Sequence, residues 1–407
     1  MVELGAFVTW WLYSKQPLSL ILSKNMKIGI DARMYSDAFT GIGRYVYELT
    51  QFLFSKCDSD WEWVIFMNEP GFSRAGFSNP RVRKIKVNAP HYSFAEQTTF
   101  LRQLRQEKCN LVHFPHFNVP LGYHKKFITT IHDTTISFYP GKKMNSPWRK
   151  WAYQKVFSHA VRGAERIISV SENTKMDVIK LFNIPSPRIT TIWNGIGDEF
   201  RETSETEVIA ARKKFNLHDN FLLYTGVWRE HKNLVGLLRA FRIILDQLQT
   251  RDEAAALKDL QLVLTGKPDL HYPEVSETIT SLQLQDHIKP IGLVSQDDLI
   301  RLYGAATIYV FPSFYEGFGF PPLEAMKAQT PVAASRISAI PEVCGDAVLY
   351  FDPHQPTDMA KKIMQLLLDE KLQKTLVKKG EERVKLFSWQ RSGERTLQVY
   401  QEVLKNN

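Results

Sequence analysis

The chain has 407 residues, of which 44% are hydrophobic and 23% are charged. This composition excludes a long disordered chain, a collagen and a coiled-coil array, and the length predicts two or three domains. The three cysteines are far apart in the sequence. An odd and sparse set excludes a disulfide framework and a zinc-binding spacing, and it indicates a reducing compartment such as the cytoplasm.

The formal charge of +9 lies entirely in the first half of the chain, because residues 1–200 carry a net +10 and the remainder a net −1. This one-sided positive field predicts an anionic partner for the first half, such as a phospholipid surface, a lipid-linked phosphate or a nucleic acid. A solvated basic face explains the charge equally well. No aromatic-interleaved basic signature is present, so we expect no nucleic-acid partner.

Residues 1–25 differ from the rest of the chain. They contain two short apolar runs separated by Lys15, Gln16 and Pro17, and neither run approaches the ~20 apolar residues that span a bilayer. The stretch lacks a basic start and a small-residue cleavage site, so a secretory signal is not expected. We interpret residues 1–25 as an extension upstream of the folded start, and an interfacial anchor is the alternative.

From Met26 onward, short β-branched runs alternate with longer amphipathic runs. In the first half, strands are predicted at 26–31, 62–67, 83–87, 110–114, 127–131, 166–170 and 189–193. Helices are predicted between them at 42–55, 94–107, 147–163 and 172–182, the last with Ser171 as its N-cap. This alternation indicates βαβ units, and hence a parallel sheet with helices on both faces.

The second half repeats the alternation. Its predicted strands are 221–225, 260–265, 288–290, 308–311, 331–333 and 348–351, and its predicted helices are 232–249, 296–304, 321–328, 355–369, 371–386 and 389–405. Between the halves, the segment 194–197 (Asn-Gly-Ile-Gly) predicts a hinge. The predicted fold class is therefore α/β, with two doubly wound Rossmann-like domains, at 26–197 and 198–387, that face a cleft.

Two glycine-containing segments follow predicted strands. In the first, Gly41 and Gly43 open a helix after the strand that ends at Asp31. Glycines let a ligand approach the backbone, and a helix N-terminus suits a phosphate, although a tight turn is the simpler explanation.

The second such segment brings Gly226, Arg229 and Lys232 to the end of another predicted strand. Two cations beside a helix N-terminus can bind a diphosphate and stabilise the negative charge that develops on it. An exposed charged turn is the alternative.

The most specific segment, 313–326, follows the predicted strand 308–311. It contains Glu316, a glycine-rich loop at 317–319, a proline helix start and Glu324. Two carboxylates that flank such a loop seldom coincide by chance, and a carboxylate can accept hydrogen bonds from a pair of sugar hydroxyls. A helix-capping turn is the alternative.

His132 and Asp133 end another first-half strand, where they could contact a sugar or move a proton. A single histidine is more often structural. The Asp-x-Asp triplet at 58–60 precedes a strand instead of following one, so we interpret it as a turn and predict no metal site.

Together these segments resemble the family-4 retaining glycosyltransferases of the GT-B fold, and most of all the mannosyltransferase-like branch of polysaccharide assembly. The resemblance runs from Met26 to about residue 405. It is carried by Asp-Ala-Arg at 31–33, Gly-Ile-Gly-Arg-Tyr at 41–45, the glutamate–seven–glutamate spacing of Glu316 and Glu324, and Ile-Pro-Glu-Val at 340–343.

The resemblance implies a hexosyltransferase that moves a hexose, with mannose favoured, from a nucleotide diphosphate sugar to a glycan or lipid-linked acceptor in surface polysaccharide or lipopolysaccharide synthesis. It implies GDP-mannose over UDP-sugars as the donor, with no cofactor and no metal ion. It also implies that 26–197 takes the acceptor, that 198–387 takes the nucleotide sugar, and that 388–407 returns to the first domain. We expect a cytoplasmic enzyme at the inner face of the membrane, in peripheral contact with anionic lipid.

The resemblance also implies roles for single residues. Glu316, His132, Lys232 and Arg229 would act at the reacting sugar and diphosphate, where the two cations stabilise the leaving charge in place of a metal. The remaining donor contacts are implied for Gly41, Gly43, Gly226, Val294, Gly317, Phe318, Gly319, Phe320, Pro321 and, at the nucleotide ribose, Glu324.

The chain departs from the family around this lysine. The family commonly has an arginine nearer Gly226 or directly before the lysine, where this chain has Val227 and His231. Retention usually requires a carboxylate nucleophile, which no side chain in these motifs clearly supplies. By resemblance, the acceptor attacks from the face that the diphosphate leaves, and the leaving phosphate oxygen takes the proton.

Three other functions share parts of this pattern. A GT-B-fold sugar-nucleotide epimerase or hydrolase would need a cleft-facing general base but no acceptor. A non-catalytic sugar-nucleotide-binding protein would keep Glu316 for recognition alone. A nicotinamide dehydrogenase is favoured only by the first Gly-x-Gly, and it lacks the third glycine because Val46 stands there.

Overall fold

The computed structural model describes residues 26–36, 41–56, 61–144, 146–251, 257–269 and 271–405. The extension proposed for residues 1–25 and the triplet at 58–60 lie outside these described residues. Among the helices that are described, none combines the length and the apolar character needed to cross a lipid bilayer.

The first half of the chain forms a parallel seven-stranded sheet. Its strands are β1 Lys27–Asp31, β2 Glu62–Met67, β3 Val82–Lys86, β4 Leu111–Phe114, β5 Phe127–Ile131, β6 Arg166–Ser169 and β7 Ile189–Thr191. Their order in the sheet is β3-β2-β1-β4-β5-β6-β7. In register, Ile28 of β1 pairs with Trp63 of β2 and with Leu111 of β4.

Helices cover both faces of this sheet. They are α1 Gly41–Lys56, α2 Gly71–Arg74, α3 Leu101–Glu107, α4 Thr135–Phe138, α5 Pro147–Gly163 and α6 Glu172–Phe182. A π-helical turn, Glu96–Phe100, leads into α3. The predicted N-cap of α6 is confirmed, because the Ser171 hydroxyl accepts a 3.0 Å hydrogen bond from the Thr174 amide.

The second half forms a parallel six-stranded sheet with the order β10-β9-β8-β11-β12-β13. Its strands are β8 Phe221–Tyr224, β9 Gln261–Thr265, β10 Ile288–Gly292, β11 Ile308–Phe311, β12 Val332–Ser335 and β13 Leu349–Phe351. The helices of this half are α7 Glu205–Phe215, α8 Leu234–Gln249, α9 Glu274–Ser281, α10 Gln296–Ala305, α11 Phe320–Lys327, α12 Ile340–Cys344, α13 Pro356–Leu368, α14 Glu370–Val384 and α15 Trp389–Lys405.

Each sheet is buried on both faces, which explains why its strands are continuously apolar instead of alternating. In β2, Trp63 and Ile65 pack with Leu53 of α1 on one face, whereas Val64 and Phe66 pack into a separate core on the other. The second sheet likewise separates two apolar cores. The predicted α/β class with two doubly wound halves is therefore confirmed.

The strand order of each sheet reverses at one point, between β1 and β4 in the first and between β8 and β11 in the second. A crevice opens beyond the carboxyl ends of the strands at such a point, and ligands bind there. The segments singled out in the sequence follow these strands, because Gly41 comes after β1, Lys232 after β8 and Glu316 after β11. Local sequence patterns and topology thus select the same edge of each sheet.

The final helix, α15, packs against the first half of the chain. Val399 and Val403 are buried in the same core as Leu53 of α1. The Tyr400 hydroxyl lies 2.6 Å from Nδ1 of His113, which stands on β4. The last described helix therefore packs on the sheet that contains the first described strand.

Several local features differ from prediction, among them the start of α8 and the helices α2, α4, α7, α9 and α12, which were not predicted. The predicted helix start at residue 232 is wrong, because Asn233 adopts a positive φ of 55° and its side chain caps a helix that begins at Leu234. Lys232 is thereby left in a short 3-10 turn before the helix. Helix α7 was not predicted, since Ala211 is its one buried residue and its apolar periodicity is weak.

Candidate active site

An ion pair joins the loops that follow the two switch-point strands of the second sheet. Nζ of Lys232 lies 2.6 Å from Oε1 of Glu316, and only 16% and 15% of the two side chains are exposed. The structure thus brings together two residues that lie 84 positions apart in the sequence. A half-buried ammonium can bind a phosphate and the carboxylate can bind hydroxyls, so the pair suits a phosphorylated sugar.

Asn233 holds the two loops in this arrangement. Its side-chain amide donates hydrogen bonds to the carbonyl oxygens of Pro312, at 3.1 Å, and Pro353, at 2.8 Å. A third bond connects the loops directly, since the Phe314 amide donates to the His231 carbonyl at 2.7 Å. These buried bonds fix the backbone on either side of the ion pair.

Glu324 stands at the end of a buried chain of hydroxyl groups. Its Oε2 accepts a 2.8 Å hydrogen bond from the Tyr303 hydroxyl. That hydroxyl lies 3.1 Å from Oγ1 of Thr225, which in turn lies 3.0 Å from the Tyr309 hydroxyl. This chain of hydroxyl groups holds the Glu324 carboxylate in one orientation on α11. Tyr303 could not be predicted as its partner, because the two residues are distant in the sequence.

Burial raises the pKa of Glu324 to about 7, and the negative charge of Glu199 acts in the same direction. The hydrogen bond from Tyr303 and the positive charge of Arg44 oppose this rise. The carboxyl group therefore changes its charge near neutral pH, which is unusual for a glutamate.

Gly317 brings the second half into contact with the first. A Cβ atom at this position would overlap the carbonyl oxygen of His132. The Gly317 carbonyl accepts hydrogen bonds from the hydroxyls of Ser171, at 2.7 Å, and Thr174, at 3.2 Å. Only glycine fits here, because backbone from both halves meets at the loop that carries Glu316.

His132 borders this contact as a neutral imidazole. Its Nε2 lies 2.9 Å from the carbonyl oxygen of Pro115, so Nε2 carries the proton and Nδ1 is left as an acceptor. Burial lowers the pKa of His132 to about 4. The ring also packs edge-on against Tyr45 of α1, with ring centroids 4.8 Å apart.

Gly41 and Gly43 lie in the first turn of α1, which faces the second half. The Phe320 ring of α11 comes within 3.7 Å of the position that a Cβ at Gly41 would occupy. Gly43 is buried, whereas Gly41 is exposed. The next residue, Arg44, pairs with Glu199 at 2.7 Å, so the turn also contacts the segment that links the halves.

Arg229 does not join the ion pair. Its Nε lies 3.6 Å from Oδ2 of Asp269, and 55% of its side chain is exposed. Arg229 and Lys232 thus have different acidic partners, and their joint binding of a diphosphate stays a prediction. The 3-10 turn Glu230–Lys232 follows Arg229 directly, and local spacing alone could not reveal that the two cations have different acidic partners.

Gly226 lies just after β8 and adopts a φ of 140°, so it contributes only backbone atoms to the edge of the sheet. A Cβ at the neighbouring Gly266 would overlap the Gly226 carbonyl oxygen, so the loops after β8 and β9 touch. The backbones of the two loops can approach this closely because neither glycine carries a side chain.

The remaining predicted donor residues divide by burial. The Phe318 ring is 5% exposed and packs in the core near Phe387, so its side chain does not face the crevice. Gly319 adopts a φ of 123° before α11, and Pro321 is half-buried within the first turn of that helix. Val294 is half-buried against the same core, next to Leu293, which is 76% exposed.

Glu342 forms a further contact between the halves. Its carboxylate accepts hydrogen bonds from the backbone amides of Glu172, at 2.8 Å, and Asn173, at 3.1 Å, at the start of α6. It also accepts a 2.7 Å bond from Nε1 of Trp193. Helix N-terminal amides favour a negative charge, so Glu342 of one half caps a helix of the other. The sequence had marked 340–343 as a motif without giving it a role.

A cavity of about 1610 Å³ opens between the halves. Asp133, Arg229 and His231 line it, together with residues of α5 and α9, but Lys232 and Glu316 do not. The ion pair therefore lies beside the large cavity, not inside it. We base the candidate active site on the ion pair, because its chemistry and its place at the switch point agree.

Family models account for most of the chain. A model described as Glycosyltransferase Family 4 matches residues 39–200, and one described as Glycosyl transferases group 1 matches residues 205–383. O-antigen chain mannosyltransferase B of Escherichia coli is 30% identical over 298 residues, which cover 73% of this chain and 75% of that protein. The chain belongs to the family-4 glycosyltransferases. The predicted family, with its mannosyltransferase-like branch, is thereby confirmed.

Two further comparisons agree with this assignment. O-antigen chain mannosyltransferase RfbU of Salmonella typhimurium is 24% identical to this glycosyltransferase over 343 residues, covering 82% of this chain and 86% of that protein. The solved structure of sucrose-phosphate synthase from Thermosynechococcus elongatus superposes with a TM-score of 0.73 at 20% identity, covering 94% of this chain and 100% of that chain. This likeness confirms the predicted GT-B fold.

Proposed function

We propose that this glycosyltransferase moves mannose, with retention of configuration, from GDP-mannose to a glycan or lipid-linked acceptor in surface polysaccharide or lipopolysaccharide synthesis. The observation that carries the proposal is the Lys232–Glu316 pair at the switch-point edge of the second sheet, with Glu324 on the adjacent helix. The names of the two mannosyltransferase relatives support mannose as the sugar.

Each side chain of this group has a distinct role in the proposed reaction. Lys232 binds the diphosphate and stabilises the charge that grows on it as the glycosidic bond breaks. Glu316 accepts hydrogen bonds from the hexose hydroxyls, and Glu324 accepts them from the ribose. In the donor complex, the diphosphate competes with Glu316 for Lys232, because both are anionic partners of one ammonium.

The proposed course retains the configuration at the anomeric carbon. The acceptor hydroxyl forms a bond to that carbon from the face that the diphosphate leaves, and its proton passes to the leaving phosphate oxygen. Such a reaction needs positioning and charge stabilisation more than a protein acid or base. His132 fits this role as a neutral group, because its Nδ1 can accept a hydrogen bond from a sugar hydroxyl.

The reaction is proposed to need no metal ion and no cofactor. Lys232 and the N-terminus of α1 would supply the positive charge that a metal supplies in other transferases. Arg229 would contribute only if its side chain left Asp269.

A donor screen in the presence of EDTA tests the function. GDP-mannose, GDP-fucose, UDP-glucose, UDP-galactose and UDP-N-acetylglucosamine are compared by release of the nucleoside diphosphate, with and without crude lipid-linked acceptor. Acceptor-stimulated release from GDP-mannose, with an α-linked product by NMR, is expected. Release that does not depend on acceptor would favour a hydrolase instead, and a requirement for added Mg²⁺ or Mn²⁺ would refute metal independence.

We also propose that the protein works in the cytoplasm, in peripheral contact with anionic lipid at the inner face of the membrane. The support is the excess of basic residues in the first half of the chain, which carries a net +10 over residues 1–200. Flotation with phosphatidylglycerol vesicles and with neutral vesicles tests it. Equal recovery of the protein with both kinds of vesicle would refute the proposed electrostatic contact.

A further inference from the structure

An aromatic wall lines the first-half side of the cavity between the halves. It consists of Tyr92, Phe117, Tyr139, Trp148, Trp151 and Tyr153. Three of its rings are unusually open, with exposed fractions of 65% for Tyr92, 69% for Trp148 and 47% for Trp151. Large apolar side chains seldom remain this exposed together unless a ligand or partner covers them.

Two of these rings form a preorganised surface on α5. Trp148 and Trp151 stack face to face, with ring centroids 4.6 Å apart and an angle of 17° between their planes. Lys155 lies over the Trp151 ring, with its Nζ 5.8 Å from the centroid. Rings that are already stacked lose little side-chain freedom when a flat ligand face packs on them.

Tyr92 is held at the same wall in an uncommon backbone conformation. Its φ of 62° lies in the left-handed region, which tyrosine seldom adopts. Its ring lies 6.3 Å from that of Phe117, measured between centroids. Residues held in sparsely populated backbone conformations cluster at active sites and ligand-binding sites.

The charges around the cavity distinguish between classes of ligand. The charged residues that line it carry five positive and six negative side chains, the negative ones including Glu96, Glu274 and Glu277. Lys142 is already paired with Glu274 at 2.9 Å, and Arg229 with Asp269 at 3.6 Å. This balanced lining gives no attraction for a diphosphate or an anionic lipid surface, but it offers many groups to neutral hydroxyls.

We propose that the aromatic wall binds the acceptor as a neutral oligosaccharide of several sugar units, whose apolar C–H faces pack on Tyr92, Trp148 and Trp151. The cavity is larger than the roughly 300–1,000 Å³ of ordinary small-ligand pockets, which fits an oligosaccharide better than a single sugar. The acidic side chains that line the cavity would accept hydrogen bonds from its hydroxyls. This proposal rests on the transferase function proposed above, and it specifies the acceptor of that function.

Binding of defined neutral oligosaccharides to the full chain tests the proposal. Mannose-based ligands, from a monosaccharide to a pentasaccharide, are titrated by saturation-transfer NMR, with glucose-based ligands of the same lengths in parallel. We expect affinity to rise with length. Trp148→Ala and Trp151→Ala are each expected to weaken the longer ligands about tenfold. Trp148→Phe should restore part of the loss and Trp148→Leu none, because only the former has a ring face.

The matched control is Phe94→Ala, since Phe94 is 82% exposed but does not line the cavity. It should bind oligosaccharides like the unmodified chain, and all variants should keep its melting temperature. The proposal is overturned if the chain binds no neutral oligosaccharide, or if the tryptophan variants bind as well as the control. It is also overturned if Trp148→Ala loses only flotation with phosphatidylglycerol vesicles, which would assign the wall to lipid.

GDP and UDP binding, measured on the same variants, separates this proposal from the transferase function. Nucleotide binding is expected to be unchanged by the wall variants, because the wall does not include Lys232 or Glu316. If the chain binds neither nucleotide, the proposed transferase function is refuted. The oligosaccharide titrations still show whether the aromatic wall binds a glycan.

Discussion

Lys232 and Glu316 are oppositely charged and mostly buried, and each is the other's partner at 2.6 Å. Removing one member of such a pair leaves the other charge buried without a partner. A neutral residue at either position is therefore disfavoured. In the proposed reaction, a donor diphosphate would replace Glu316 as the partner of Lys232 and release the carboxylate for the sugar. The same two side chains would thus hold the two loops together and bind the donor.

Replacement of Glu316 by glutamine should abolish most of the transfer. The variant keeps the shape of the side chain but loses the charge that binds the sugar hydroxyls, and we expect kcat/KM to fall by about 10²–10³-fold. Circular dichroism should show an intact fold. The control is Glu382→Gln, because the Glu382 side chain is 70% exposed and remote from the crevice. Full transfer by Glu316→Gln would exclude Glu316 from the reaction.

Donor binding should depend on pH through Glu324. Because burial raises its pKa to about 7, the carboxyl gains its charge, and its full capacity to accept ribose hydrogen bonds, only as the pH rises through 7. The donor KM should therefore fall between pH 6 and pH 8. Tyr303→Phe should move this midpoint to higher pH, because the Tyr303 hydroxyl favours the ionised form. A pH-independent KM in the unmodified chain would contradict the role of Glu324.

The raised pKa of Glu324 affects stability in the opposite direction to donor binding, because it favours the folded state at low pH. The pKa of Glu324 is raised above its ordinary value of 4.5, so the folded chain binds more protons than the unfolded chain between that value and about 7. Its contribution to the free energy of unfolding is therefore present at low pH and lost as the pH rises through this window. Denaturant titrations of Glu324→Gln should lack this component.

At the level of the elements, α8 begins where Asn233 ends a 3-10 turn in a left-handed conformation. Its side chain accepts a bond from the Gly236 amide and donates two to backbone carbonyls of other loops. One residue therefore sets both the start of the helix and the position of Lys232 beside it. This coupling explains why the helix starts after Lys232 instead of at it.

Asn233→Ala should destabilise the protein and misplace Lys232. The loss of the cap and of two buried bonds should lower the free energy of unfolding by about 2–4 kcal/mol. Asn233→Asp keeps the acceptor for the helix but sets a buried carboxylate against the carbonyl oxygens of Pro312 and Pro353, so it should destabilise the protein at least as much as Asn233→Ala. Urea titration measures the loss, and GDP binding reports the position of Lys232. If Asn233→Ala unfolded at the same urea midpoint as the unmodified chain, this role of Asn233 would be refuted.

In the whole molecule, the two halves meet along contacts that pass through the candidate active site. The Gly317 backbone lies against that of His132, the Tyr315 hydroxyl lies 2.5 Å from Oδ2 of Asp177, and Glu342 caps α6. The loop that carries Glu316 is therefore bound to the first half on both sides. In the proposed reaction, these contacts would keep the donor and acceptor groups facing each other.

Gly317→Ala should separate the halves and stop transfer. The new Cβ would overlap the His132 carbonyl oxygen, which is backbone and cannot rotate away. We expect a larger radius of gyration by small-angle scattering and a loss of transfer of at least about 10²-fold, since misplacement of about 1 Å has that effect. Gly76→Ala is the control, because nothing lies within 4 Å of its added Cβ. Unchanged scattering and transfer would refute the proposed contact.

The amino-acid sequence is enough to predict the α/β alternation, the two halves, the family and the segments that end at the crevice. These features depend on local patterns, such as the apolar strand 308–311 followed by Glu316, a glycine loop and a proline helix start. Parallel strands place such loops at one edge, so the sites of Lys232 and Glu316 followed from periodicity and turn chemistry. The roles proposed for them remain predictions.

The tertiary structure alone decided which side chains meet. It paired Lys232 with Glu316 and Tyr303 with Glu324, and it directed Arg229 to Asp269. The cap that Glu342 forms on α6 and the aromatic wall are likewise visible only in the tertiary structure. The physical reason is that these contacts join residues far apart in the chain, whose distances are set by strand order and by the closure of one half on the other.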